Sequence, residues 1–393
     1  MNGLEDEPAA PGRFAAGRGA RDGVPGGGVD LDVGIILAAQ DAAGAYPAGP
    51  GFSQYQQCWL RDGAFIANAL DRVGEHGSVA RYHAWVARCL EPLGPYVREL
   101  RARRAAGEPI TEFEFLPARF TLEGAWLKDG WPNFQLDGYG QWLWSLAGHL
   151  RATGASAVPA ALAPAVAAVV DYLEAFWNEP CYDSWEEHRS QLHTATLASI
   201  AAGLRDIAAF LGHAPTAGSA AESAGSAPGP ALRAQRVYAA VRAFIEAECV
   251  VDGAFVKYVR NPAVDASLLW LATPFELVSP SDARMARTVA RIERELLGGG
   301  LRRYAADTYY GGGEWVLLTA WLAWHKRRLG DETGAARLLA WVEAQRGAGG
   351  ALPEQVPGAN CHPYFLDYWT RNWGQSAGPL LWSHAMTVVA RSG

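Results

Sequence analysis

The stretch Trp131-Pro132-Asn133-Phe134-Gln135-Leu136-Asp137-Gly138 runs directly into a segment whose apolar residues recur every three or four positions as far as Leu150, the spacing of an amphipathic helix. Junctions of this kind recur along the chain. Trp59-Leu60-Arg61-Asp62, Asp183-Ser184-Trp185-Glu186-Glu187-His188, Val264-Asp265-Ala266-Ser267, the segment from Arg303 to Glu314, and Leu352-Pro353-Glu354-Gln355 each lead into another helical segment. The same periodicity gives roughly twelve helices, near 30–42, 62–74, 77–92, 136–152, 159–178, 191–212, 232–249, 262–272, 281–297, 313–329, 332–347 and 376–391. Polar and aromatic residues therefore crowd the start of every second helix.

Short connections make consecutive helices antiparallel, so helices two apart run parallel and begin at one end. Six such hairpins closed into a ring bring the six polar junctions around a single mouth. The expected fold is all-α, an (α/α)6 barrel of about twelve helices, with an inner parallel ring and an outer ring returning the chain. Residues 30–393 form this one domain. Residues 1–29, with the run Gly26-Gly27-Gly28, and the Ala/Gly/Ser/Pro-rich stretch near 214–230 bury too little side chain to offset ordering, and read as an arm and a flexible insert.

Composition narrows the function. Half of the 393 residues are hydrophobic and 19% are charged, which is ample for a packed core. Against 34 basic residues stand 41 acidic ones, a net charge of −7, so no nucleic-acid surface is expected. Five scattered cysteines without a CxxC pair argue against a disulfide framework or a cysteine metal site. The longest apolar run, 157–170, is broken by Pro159 and Pro164 and falls short of the roughly 20 residues that span a bilayer. No apolar leader is evident near the start, so a soluble, cytoplasmic protein without a membrane partner is expected. HExxH, GxSxG, phosphate-loop and dinucleotide patterns are absent, and neither a metal nor a cofactor is expected. Sixteen Trp and fourteen Tyr exceed what a core requires and offer flat faces for sugar rings.

Splitting an acetal needs a proton donor at the leaving oxygen and a second carboxylate at the anomeric carbon. Glu186 and Glu354 are the candidates. Glu186 lies between Trp185 and Glu187, where an indole and a like charge both favour a protonated acid; a helix-capping or ion-paired glutamate is the alternative. Glu354 follows the Gly347–Gly350 stretch and reads as an ionised base, or as an ordinary loop glutamate. Arg61 and Asp62 supply the donors and acceptor that grip adjacent hydroxyls, or else an internal ion pair.

Together these junctions resemble the catalytic domain of glycoside hydrolase family 15, the glucoamylase-like family. The similarity runs over about residues 50–390 and rests on Tyr55 with Trp59-Leu60-Arg61-Asp62, Trp131 with Asn133 to Gly140, and Tyr182 to Glu187. It continues through Val264 to Leu269, Arg303-Tyr304, Asp307 to Tyr310, Trp315, Leu352 to Gln355 and Pro379 to Ala385. The resemblance implies an (α/α)6 barrel that removes a terminal α-glucosyl residue with inversion, Glu186 as general acid and Glu354 as general base. Arg61, Asp62 and Arg303 would hold the glucosyl hydroxyls, and Tyr55, Trp59, Trp131, Trp185, Glu187, Tyr304, Trp315 and Trp382 would line the sugar site. The N-terminal β-sandwich and starch-binding module of many relatives have no counterpart in the sequence, so the expected partner is a short oligosaccharide of isomaltose or maltose type. A trehalase or sugar phosphorylase of the same shape, and a non-catalytic sugar-binding protein, are the competing readings.

Overall fold

The computed structural model describes residues 27–212, 229–357 and 360–392. Most of the arm and of the insert lies outside these. Thirteen α-helices are found among the described residues: α1 Gly27–Ala39, α2 Leu60–Arg72, α3 His76–Leu90, α4 Gly94–Ala105, α5 Asp137–Ala152, α6 Ala163–Phe176, α7 Thr194–Leu211, α8 Pro230–Glu248, α9 Ala283–Leu296, α10 Val316–Arg328, α11 Glu332–Glu343, α12 Pro363–Trp373 and α13 Leu381–Ser392.

The ring closes as the junctions require. α2 packs on α5, α5 on α7, α7 on the short 3-10 helix Ala266–Leu271, that helix on α10, α10 on α13, and α13 back on α2. These six elements are the ones whose starts carry the polar and aromatic junctions. They are largely buried, as helices are when neighbours cover most faces. Around them α1, α3, α6, α8, α9 and α11 pack as an outer ring. α9 shows the difference, burying only Met285, Thr288, Val289, Ile292 and Leu296, a single stripe at three- and four-residue spacing. α7 is long and apolar enough to cross a membrane by length and composition, yet 78% of it is buried inside the fold.

Much of the aromatic surplus plugs the axis. Phe65 of α2 stacks on Trp382 of α13, with ring centroids 5.3 Å apart, and meets Trp321 of α10 edge-on at 4.7 Å. Trp144, Trp270 and Phe275 complete the cluster. One close approach depends on glycine: a Cβ on Gly203 of α7 would stand 2.1 Å from the carbonyl oxygen of Gly140 on α5. Only two hydrogens at each Cα let these two inner helices pack so tightly.

The structure departs from the expected helices in three places. The eighth segment is a short 3-10 helix, followed closely by Pro274, which has no N–H to continue a helical ladder. α4 was not foreseen because it buries only Val97 and Leu100 and lacks an apolar stripe. α12 has no buried residue at all, and its only periodic signal is the helical spacing of the rings at 364, 368, 369 and 373.

Candidate active site

Three two-residue ladders lie among the loops, two of them at the starts of the inner helices α2 and α10. β1 (Cys58–Trp59) pairs with β2 (Arg119–Phe120), β3 (Val250–Val251) with β4 (Ala254–Phe255), and β5 (Glu314–Trp315) with β6 (Gln355–Val356). In the last of these Trp315 lies opposite Gln355, which sets Glu354 beside the head of α10. Around the mouth opens a cavity of about 410 Å³ lined by both Glu186 and Glu354. Its walls include Tyr55, Trp59, Arg61, Asp62, Trp131, Trp185, Glu187, Arg303, Trp315 and Trp382. One predicted lining residue is not among them: Tyr304 stands behind Glu187, to which its hydroxyl is hydrogen bonded.

Glu186 has a positive φ of 67°, a conformation that costs a non-glycine residue of order 1–3 kcal/mol unless the surroundings impose it. Asp183 does so. Its Oδ1 accepts the backbone N–H groups of Trp185 at 3.0 Å and Glu187 at 2.9 Å, while its own backbone exchanges hydrogen bonds with Glu186 and Glu187. The turn projects the Glu186 carboxylate between two indoles. Trp59 Nε1 donates to Oε1 and Trp131 Nε1 to Oε2, each at 2.6 Å, and Gln135 Nε2 donates to Oε1 at 3.0 Å. The Trp185 indole does not direct its N–H at Glu186 but at Asp265, at 3.0 and 3.1 Å from the two carboxylate oxygens. Nor is Glu187 a free repelling charge, since Arg303 Nη2 lies 3.2 Å from its Oε1.

Glu354 is buried, and three hydroxyls converge on it: Tyr55 at 3.0 Å, Tyr309 at 3.1 Å and Ser376 at 3.2 Å. Burial pushes its carboxyl up to about 7, against the opposing pull of Tyr55, Arg303, Tyr309 and Ser376. Asp62 is likewise raised to about 7 by burial, with Arg61 opposing and Glu186 adding to the rise.

The two arginines are held rather than loose. Arg61 donates to Gln135 at 2.7 Å and to Asp137 at 3.2 Å. Arg303 is clamped by Asp307, 2.8 Å from its Nε, and lies 5.0 Å from the Trp315 ring centroid. The indole N–H groups of Trp315 and Trp382 and Nε of Arg61 are buried without a hydrogen-bond partner.

Lys257 escaped sequence reasoning because a lone lysine beside a short hairpin carries no signal. Its buried ammonium lies 2.6 Å from Asp265 and 3.2 Å from Asp183, and 3.7 Å from the Tyr304 ring centroid. One charge thus anchors the loop that presents Glu186 and the acceptor that holds Trp185. Tyr309 and the α12 residues Trp369 and Trp373, which also line the cavity, were missed as well. Asp183, Glu187 and His188 bring possible ligand atoms within 4.8 Å of one another, but Lys257 and Arg303 already neutralise the two carboxylates, so the set does not suit a cation. At the opposite end of α2, Asp71 holds His76 at 2.8 Å and His149 at 2.9 Å, a clasp between α2, α3 and α5.

Comparison with known proteins agrees with this geometry. Residues 33–346 match the family model described as Glycosyl hydrolases family 15. The isomaltose glucohydrolase of Kribbella flavida is 43% identical over 357 residues, covering 90% of this chain and 89% of that protein. A solved glycosidase carrying a Glu→Ala substitution, in complex with glucose, is 40% identical and superimposes with a TM-score of 0.85 over 92% of this chain and 94% of its own. The glucoamylase of Saccharomycopsis fibuligera shares the fold at 14% identity, with a TM-score of 0.67 over 93% of this chain and 94% of that one. The closed double ring of helices, the paired carboxylates at its mouth and these likenesses agree: the chain belongs to glycosyl hydrolase family 15 and is a glycoside hydrolase.

Proposed function

We propose that the enzyme is an inverting exo-α-glucohydrolase of short α-glucosides, of the isomaltose type. The observation that carries this reading is that Glu186 and Glu354, remote in sequence, line one cavity closed beneath by the aromatic plug. A terminal glucosyl unit fits such a blind site, and the rest of the substrate leaves through the mouth.

Glu186 is the general acid. It gives its proton to the glycosidic oxygen as the bond to the anomeric carbon breaks, so that the aglycone leaves as a neutral alcohol. Glu354 is the general base and takes a proton from the water that attacks the same carbon from the opposite face. The new C–O bond forms where the old one was not, and an α-glucoside yields β-glucose. Tyr55, Tyr309 and Ser376 fix the orientation of the base. Arg61 and Arg303, each anchored by its own partners, and Asp62 beside them hold the hydroxyls of the glucosyl unit.

Glucose release from isomaltose, maltose, trehalose and soluble starch tests the substrate class. Isomaltose is expected to give the highest kcat/KM; a preference for starch or trehalose would overturn that assignment.

A further inference from the structure

α12 carries a row of rings none of which is fully buried. Trp369 packs against Tyr309 at 4.8 Å and Tyr310 at 5.8 Å, Trp373 against Trp369 at 4.8 Å, and Tyr368 against Trp373 at 6.0 Å between ring centroids. Tyr309 is itself hydrogen bonded to Glu354. A continuous series of aromatic rings therefore leads from the buried base to the surface, where Trp373 is 42% and Tyr368 47% exposed. Clustered exposed rings mark a binding surface more often than a neutral one.

The closed end of the cavity decides which ligand meets them. Trp382 lines the cavity and is backed by Phe65 and the axial aromatic cluster, so a chain that enters by its non-reducing end can leave only past the rim. Trp369 and Trp373 stand on that rim. Tyr368 lies one helical turn before the residue preceding Trp373, and the exposed Asp367 and Arg371 flank the rings with polar groups. Flat apolar faces bordered by hydrogen-bonding groups match the alternating C–H faces and hydroxyl edges of a pyranose ring.

We propose that Trp373 and Tyr368 form a stacking site for the sugar units beyond the leaving residue, so that α12 sets how strongly the enzyme favours longer α-glucosides over a disaccharide. This rests on the exo-acting reading of the cavity. The test compares the parent with Tyr368→Ala and with the double variant Tyr368→Ala/Trp373→Ala. The ratio of kcat/KM for isomaltotetraose to that for isomaltose should fall roughly three- to tenfold in the double variant, mainly through KM. The same pair of changes placed in Glu186→Gln should weaken isomaltotetraose binding, followed by Trp fluorescence, by a similar factor. An unchanged ratio together with unchanged binding would overturn the proposal. A parent that hydrolyses neither sugar, yet binds the tetrasaccharide in a manner that depends on the two rings, would sustain the stacking site and overturn the exo-hydrolase reading instead.

Discussion

The hydroxyl of Tyr309 lies 3.1 Å from Oε2 of Glu354, and that of Tyr55 lies 3.0 Å from Oε1. The two phenols are themselves hydrogen bonded at 2.8 Å, so two phenolic hydrogens serve three contacts and at least one of them is given to the carboxylate. The base is held in one rotamer with its charge partly compensated.

That arrangement fixes the acid side of the pH profile. A base must be ionised, and burial pushes Glu354 up to about 7, so kcat/KM should fall as the pH drops through about 7. Tyr309→Phe removes a donor that favours the carboxylate, worth roughly 1–2 kcal/mol, and should move this limb upward by about one pH unit. Initial rates on isomaltose between pH 5 and 9 measure both. A limb unmoved by the substitution would remove Tyr309 from the account.

Stability should show the reverse trend. A carboxyl whose proton is held more tightly in the folded state than in the unfolded chain destabilises the fold once it must ionise, from about pH 4.5 upward through about 7. Glu354→Gln should therefore be more stable than the parent at pH 8, by about 2–3 kcal/mol, while losing nearly all activity. Urea unfolding at pH 8 and pH 4.5 checks this, with the difference vanishing at the lower pH.

Lys257→Met should be damaging at a distance from the substrate. Without the ammonium, Asp183 and Asp265 remain buried and uncompensated, a loss of about 3–5 kcal/mol. The loop that holds Glu186 at positive φ should loosen. Lowered kcat with little change in KM, and partial rescue by Lys257→Arg, would separate this positioning role from a general loss of fold.

Gly203→Ala tests the tight contact between α5 and α7. The added methyl meets the Gly140 carbonyl, and relief requires the two helices to part, at about 1–3 kcal/mol. Thermal unfolding should show a lower midpoint. No change would mean that the two helices have room to move.

The ring of inner helices was legible because polar and aromatic residues before Leu60, Asp137, Thr194, Ala266, Val316 and Leu381 mark one end of each, a signal that survives errors in boundary. Glu186 and Glu354 were legible for the same reason, each lying within such a junction. What stayed hidden depends on contacts between distant segments. Lys257 matters only because Asp183 and Asp265 close over it. The Trp185 indole is fixed because Asp265 accepts its N–H. α12 buries nothing, and the helical spacing of its rings at 364, 368, 369 and 373 was the one signal that could have revealed it.

The stereochemistry of the first product tests the central claim most directly. Proton NMR of an isomaltose digest, read within the first minutes and before mutarotation, should show the β-anomeric signal of glucose growing ahead of the α signal. Early accumulation of α-glucose would mean retention and a nucleophilic carboxylate, and would contradict the roles given to Glu186 and Glu354.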